Sequence, residues 1–187
     1  MTSNCYVFVV DEHEPRICGK YTIQDGVGYF VYGQSWLSRK DAYPLDPINY
    51  PLIDTTFQSP AQHGAIGVLS DSAPDSWGRQ VHMAAHQQQP ENEVEWLLVG
   101  SGRGAGCLAF SPSRNKIKSF GTPPDFNEVA TFIQIADTIE AGTPLDLSNH
   151  PKEWTRLLEY GSSMGGAKPK IVVTHEGKEW IAKLNRK

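Results

Sequence analysis

Ser162-Ser163-Met164-Gly165-Gly166-Ala167-Lys168-Pro169-Lys170 is followed by a strand-like run, a turn at Glu176-Gly177 and then Trp180-Ile181-Ala182-Lys183. The stretch reads as a polar, glycine-bearing loop, a strand over 170–174 and a returning strand over 178–184. Two adjacent glycines open backbone conformations closed to other residues, so successive N–H groups can converge on phosphate oxygens. Lys183 follows Lys170 by 13 positions. That is about the length a two-stranded hairpin needs to bring the second lysine back beneath the start of the first strand. Spacing alone leaves two readings open: a loop and a lysine that hold phosphate, or a plain hairpin preceded by a glycine turn. Neither GxGxxG nor GxxxxGK[ST] is present to decide between them.

Working outward from this stretch, a short helix is expected over 151–159, and before it the best-defined helix of the chain. Asp125 suits its N-cap and Glu128, three residues on, completes a capping box. Val129, Phe132, Ile133, Ala136 and Ile139 form one apolar stripe, and Gly142 is a natural stop. Asp125-Phe126-Asn127 superficially resembles a metal-binding triplet, but its place before the stripe makes it a cap. Residues 111–124 read as a connector, polar and carrying Pro112, Pro123 and Pro124.

Further upstream, Ser72-Ala73-Pro74-Asp75 signals a helix over 75–88, with Trp77, Val81 and Ala84 or Ala85 on one face. A second short helix fits 93–99, apolar at Val94, Leu97 and Leu98, and a glycine-rich turn then leads into a strand over 107–110. The first third reads as strands over 5–10, 18–23 and 28–32, with Asp25-Gly26 as a hairpin turn. Pro44, Pro47 and Pro51 predict an extended, irregular run over 36–51. His82 and His86 have the i, i+4 spacing of a metal pair, but no third ligand is placed nearby, so they read as a solvated helix face.

The 187 residues are 39% hydrophobic and 20% charged, ordinary globular values. With 17 basic and 21 acidic side chains, the net charge of −4 argues against a broad nucleic-acid surface. Cys5, Cys18 and Cys107 are an odd number without CxxC spacing. They read as buried reduced thiols of a cytoplasmic protein rather than a disulfide framework or zinc site. The apolar run at the N-terminus is too short for a signal peptide or a membrane span.

A glycine-rich loop over the nucleotide with a strand lysine returning toward its phosphates is the layout of a protein-kinase upper lobe. Ser162–Lys170, then Gly177 and Trp180-Ile181-Ala182-Lys183, resemble the start of the kinase core in HipA-like serine/threonine kinases, toxins of bacterial type II toxin–antitoxin systems. Upstream segments resemble that family's amino-terminal module in the same order: Gly19, Phe30-Val31-Tyr32, Trp36-Leu37 and Ala42-Tyr43-Pro44-Leu45. So do the run from Gly67 to Asp75 with Trp77-Gly78-Arg79, and the glycines of 100–106 before Cys107-Leu108-Ala109-Phe110.

The resemblance implies ATP and Mg²⁺ as cofactors, with Ser163, Met164, Gly165, Gly166, Ala167 and Lys183 facing the nucleotide. Lys183 is implied to pair with the α- and β-phosphates. Ser163, with Ser162 as the alternative, is the implied autophosphorylation site, and a HipB-like antitoxin and a protein substrate, of the tRNA synthetase class, are the implied partners. Trp77-Gly78 reads as tight packing between elements, and Arg79 as a structural or docking residue.

The sequence departs from a complete kinase, because no carboxylate base or Mg²⁺ ligands follow Lys183 and no His-x-Asp catalytic loop occurs. No residue of this chain is assigned a catalytic role, and the chain alone is expected to be inactive.

The expected fold is α+β: a β-rich module with short helices over 1–110, the connector 111–124, and the start of a kinase-like upper lobe over 125–187. The last strands should leave an edge and apolar surface for the missing kinase lobe or for self-association. Direct nucleic-acid and membrane contacts are not expected. The functional expectation is the N-terminal fragment of a HipA-like toxin kinase. The alternative is a free-standing, non-enzymatic module that binds or regulates a partner kinase.

Overall fold

Alternating and near-continuous apolar runs at the N-terminus build strands, and amphipathic stripes further on build helices. The computed structural model describes residues 3–11, 14–59, 64, 66–86, 89–99, 106–118, 121–145, 151–162 and 166–185. The first elements are β1 (Asn4–Val9), β2 (Arg16–Gln24), β3 (Val27–Tyr32), α1 (Gln34–Leu37), β4 (Thr56–Gln58) and α2 (Gly67–Ser70). After these come α3 (Ser76–His86), α4 (Glu93–Val99) and β5 (Leu108–Ser111). A 3-10 turn (Phe126–Glu128) then runs into α5 (Val129–Glu140), followed by α6 (Pro151–Ser162), β6 (Lys170–His175) and β7 (Lys178–Lys183). The molecule is α+β with a β-rich N-terminal module, as the sequence predicts. No helix among the described residues is long and apolar enough to cross a membrane.

Two compact units are discontinuous in sequence: Met1–Ala73 joins Pro90–Lys118, and Pro74–Gln89 joins Ser119–Lys187. The first holds an antiparallel five-stranded sheet in the order β4-β3-β2-β1-β5. Cys5, Val7, Phe8 and Val9 are all buried in β1, whose two edges are paired by β2 and β5. Register slips between Val7 and Phe8, and there the Cys18 thiol donates to the Val7 carbonyl at 3.4 Å. Cys5 and Cys18 are buried as expected, but Cys107 is exposed, which corrects the reading of three interior thiols.

The run after β3 was expected to be extended from Trp36 onward. Instead α1 carries Trp36 into the core, where its Nε1 donates to the Tyr43 carbonyl at 3.2 Å. The Arg16 guanidinium lies 5.6 Å from the Trp36 ring centroid. Beyond α1 the prolines do keep the chain irregular, and side chains meet its backbone instead of a ladder. The buried Tyr32 hydroxyl donates to the Tyr50 carbonyl and accepts from the Leu45 N–H, both at 2.8 Å. Asp46 Oδ1 accepts from the N–H groups of Ile48 and Asn49 at 2.9 and 3.0 Å. The sequence reading had not identified α1, α2 or β4, each only three or four residues long.

In the second unit, α3, α5 and α6 enclose a core of Trp77, Val81, Phe132, Ile135, Ala136, Ile139, Leu157 and Leu158, to which β6 adds Ile171 and Val173. Trp77 meets Phe132 edge to face at 6.4 Å between centroids. The capping box forms as expected: the Asn127 N–H donates to Asp125 Oδ1 at 2.9 Å, and the Asp125 N–H donates to Glu128 Oε2 at 2.7 Å. Glu128 also pairs with Arg156 of α6.

The stripe of α5 needs one correction, because Ile135 is buried and Ile133 is 39% exposed. Around the helix axis Ile135 stands about 60° from Phe132 and Ile133 about 100° on the other side, so the packed face centres on Phe132 and Ile139. Gly142, with φ 67°, ends the helical run. Both hairpin turns are of type I′, with φ 51° and 74° at Asp25-Gly26 and 51° and 73° at Glu176-Gly177.

Candidate functional site

The glycine loop is delivered by a helix and removed by a strand. Helix α6 was expected to stop near 159 but runs on through Gly161 and Ser162. Its end is gripped from α3: Trp77 Nε1 donates to the Gly161 carbonyl at 2.9 Å. A Cβ on Gly78 would stand 2.7 Å from the Ser162 carbonyl oxygen and 2.9 Å from the Pro74 Cβ. Any other residue at 78 would push the two helices apart. The packing role read for Trp77-Gly78 therefore has a specific object, the last turn before the loop. Arg79 is exposed, and its Nε donates to the Pro74 carbonyl at 3.0 Å within its own helix start.

Of the nucleotide-facing residues expected from the sequence, Ser163, Met164 and Gly165 lie outside the described residues. Ser162 is half-buried, and its hydroxyl donates to the Glu159 carbonyl at 3.1 Å. Gly166 is exposed with φ 115°, a backbone conformation that side chains other than glycine's scarcely allow. Ala167 and Lys168 are exposed. At Lys170 the chain turns inward, and this residue is only 6% exposed.

Strands β6 and β7 are antiparallel, and their register sets Lys170 directly opposite Lys183. The Leu184 N–H donates to the Pro169 carbonyl at 3.0 Å, closing the hairpin where the loop ends. Opposed residues of an antiparallel pair put their side chains on the same face. Two lysines therefore share one face of the hairpin at the loop's mouth. Lys183 is exposed and makes no ion pair among the described residues. Along the same strand Trp180 and Ile181 are 56% and 50% exposed.

Sequence reasoning missed Lys170 as a site residue, treating it only as the first residue of a strand. It also missed Asp75, whose Oδ1 accepts the Gly78 N–H at 3.1 Å while Oδ2 is buried and has no hydrogen-bond partner among the described residues. The Asp125-Phe126-Asn127 triplet is a helix cap, as read. His82 and His86 lie with ring centroids 4.8 Å apart and planes tilted by 38° on α3.

A family model described as the HipA N-terminal domain matches residues 15–111, more than half of the chain. No curated protein matches the chain. The matched region covers β2 to β5 and α1 to α4, begins after β1, and ends before α5, α6 and the terminal hairpin.

Proposed function

Because this chain belongs to the HipA family through its N-terminal domain, we propose that it binds the phosphates of Mg-ATP between the loop of residues 162–170 and Lys183. In this reading it forms the nucleotide-holding part of a serine/threonine protein kinase. The observation that carries the reading is the register that sets Lys170 opposite Lys183 beside Gly166. Like charges directly across a strand pair destabilise it, and a polyanion seated between them reverses the sign. The open backbone at Gly166 leaves room for phosphate oxygens to approach main-chain N–H groups.

Transfer of the terminal phosphate to a protein hydroxyl further requires Mg²⁺ ligands and a carboxylate base. The target class is the one the family resemblance implies, tRNA synthetases, and the regulatory partner is a HipB-like antitoxin. Ser163 is the acceptor for autophosphorylation in preference to Ser162, whose hydroxyl is engaged in the last turn of α6. A phosphoserine there adds between one and a half and two negative charges, roughly, where ATP must enter.

The test is Lys183→Ala, with Mg-ATP affinity read by calorimetry. Affinity should fall about tenfold or more, the value of one charge-assisted contact to phosphate. The far-UV spectrum should be unchanged and Tm should not fall, because Lys183 is exposed and its loss relieves the like-charge pair with Lys170. Unaltered affinity would remove the ATP assignment.

A second reading has one observation behind it. The family match ends at residue 111, so the matched module can act through its own surface as a binding or regulatory partner of a kinase, without nucleotide. A wild-type chain that ignores Mg-ATP but retains a HipA-type kinase on a column would select that reading.

A further inference from the structure

Strand β7 has one neighbour where a strand has room for two. Its only partner among the described residues is β6, so its outer edge is open. Trp180 and Ile181 point to opposite faces of the hairpin, and each is half exposed. Neither a bulge nor a proline blunts this edge.

The hydrogen bonds of the hairpin decide which groups the edge offers. The Leu184 N–H donates to the Pro169 carbonyl. By alternation, the other pairs bonded across to β6 are Ala182 with Ile171 and Trp180 with Val173. Glu179, Ile181 and Lys183 fall in the intervening non-bonded pairs, so their N–H and C=O groups face outward. A second β7 laid antiparallel along this edge must set outward residues against outward residues. One register engages all three: Ile181 against Ile181, with Glu179 against Lys183 at either end. A slip of two residues in either direction sets a charged residue against Ile181 and leaves another beyond the strand's end.

We propose that β7 pairs with β7 of a second copy of this chain, antiparallel about a two-fold axis at Ile181. The product is a four-stranded sheet in the order β6-β7-β7-β6. Charge complementarity selects this occupant. Lys183 already faces Lys170 across the hairpin, and Glu179 of the second copy arrives on its other side to offset the like charges. The two Ile181 side chains meet on that same face. On the opposite face Trp180 meets the small Ala182 of the copy, so both half-exposed apolar residues gain cover. The contact uses one patch on both copies and therefore closes as a dimer.

Sedimentation velocity of the nucleotide-free chain over a range of concentrations tests this, and should show a reversible monomer–dimer equilibrium. Glu179→Lys and Lys183→Glu should each weaken association about tenfold, by setting like charges opposite one another at both ends. The double variant should restore it. Both residues are exposed, so the hairpin should tolerate the exchanges. Amide hydrogen exchange locates the contact: the Ile181 N–H should slow as concentration rises, whereas the Trp180 N–H, already spent on β6, should not change. Ile181→Pro removes the outward N–H and no bond to β6, and should abolish the dimer.

A chain that stays monomeric at every concentration overturns the proposal. A dimer that the double variant fails to restore, or whose Ile181 exchange ignores concentration, uses another surface and overturns it equally. No nucleotide enters these measurements, so their outcome is independent of the ATP reading.

Discussion

The Tyr32 hydroxyl joins two backbone groups of the proline-broken run after α1, and neither has a ladder partner. Tyr32→Phe should leave the Leu45 N–H and the Tyr50 carbonyl short of a bond and cost about 1–3 kcal/mol, measurable as a lower urea midpoint with an unchanged slope. Thiol accessibility gives an independent check on the sheet. Cys5 is buried, and desolvation pushes its thiol up to about 12. Burial pushes Cys18 up as well. Native protein at neutral pH should therefore react with a disulfide reagent at Cys107 alone, and at all three cysteines after unfolding. Two fast-reacting thiols in the native state would contradict the strand packing. Gly78 is the third residue-scale case. Gly78→Ala drives a methyl into the Ser162 carbonyl and should cost about 1–3 kcal/mol as an overpacked contact, against the small gain alanine brings to an open helix position.

Among the elements, α5 shows both what a sequence discloses and where it stops. Its cap was legible because Asp125 and Glu128 solve a local problem, the unpaired N–H groups of a first helical turn, and the two bonds form within four residues. Asp125→Ala should cost about 1 kcal/mol in thermal unfolding, whereas Asp125→Asn should be close to neutral. The hairpin β6–β7 was legible for the same reason, its turn being written in Glu176-Gly177. Ile133 was misread because a stripe shows that a face is buried without showing what covers it, and a neighbour decides between two residues at the stripe's edges. Helices and strands of three or four residues, such as α1 and β4, carry too few positions for any period to appear. The site divides along the same line. Gly166 and Lys183 could be found from the loop itself, but Asp75 could be read only as a cap, since the burial of its second oxygen depends on how distant parts of the chain pack.

At the scale of the molecule, the groups that burial holds uncharged are unevenly shared. Cys5, Cys18, Tyr21 and Tyr32 all lie in the first compact unit. Burial raises Cys5 and Tyr32 to about 12 each and raises Cys18 and Tyr21 also. Folded-state values above the unfolded ones mean that the unfolded chain releases these protons first as pH rises. Their contribution is whole below about pH 9 and drains away toward pH 12. The temperature at which Cys5 and Cys18 become reactive should accordingly fall between pH 9 and 11, and a flat profile would refute the assignment. The discontinuity of the two units has a further consequence, for a chain emerging from the ribosome. Strand β1 exposes one edge until Phe110 arrives to pair with Val7. Trp77 has no carbonyl to bond until Gly161 is made, 84 residues later. Each unit is thus begun, interrupted by part of the other, and sealed late. Such a nascent polypeptide carries open β edges and a bare tryptophan through most of its translation, and it is a natural client for holding chaperones.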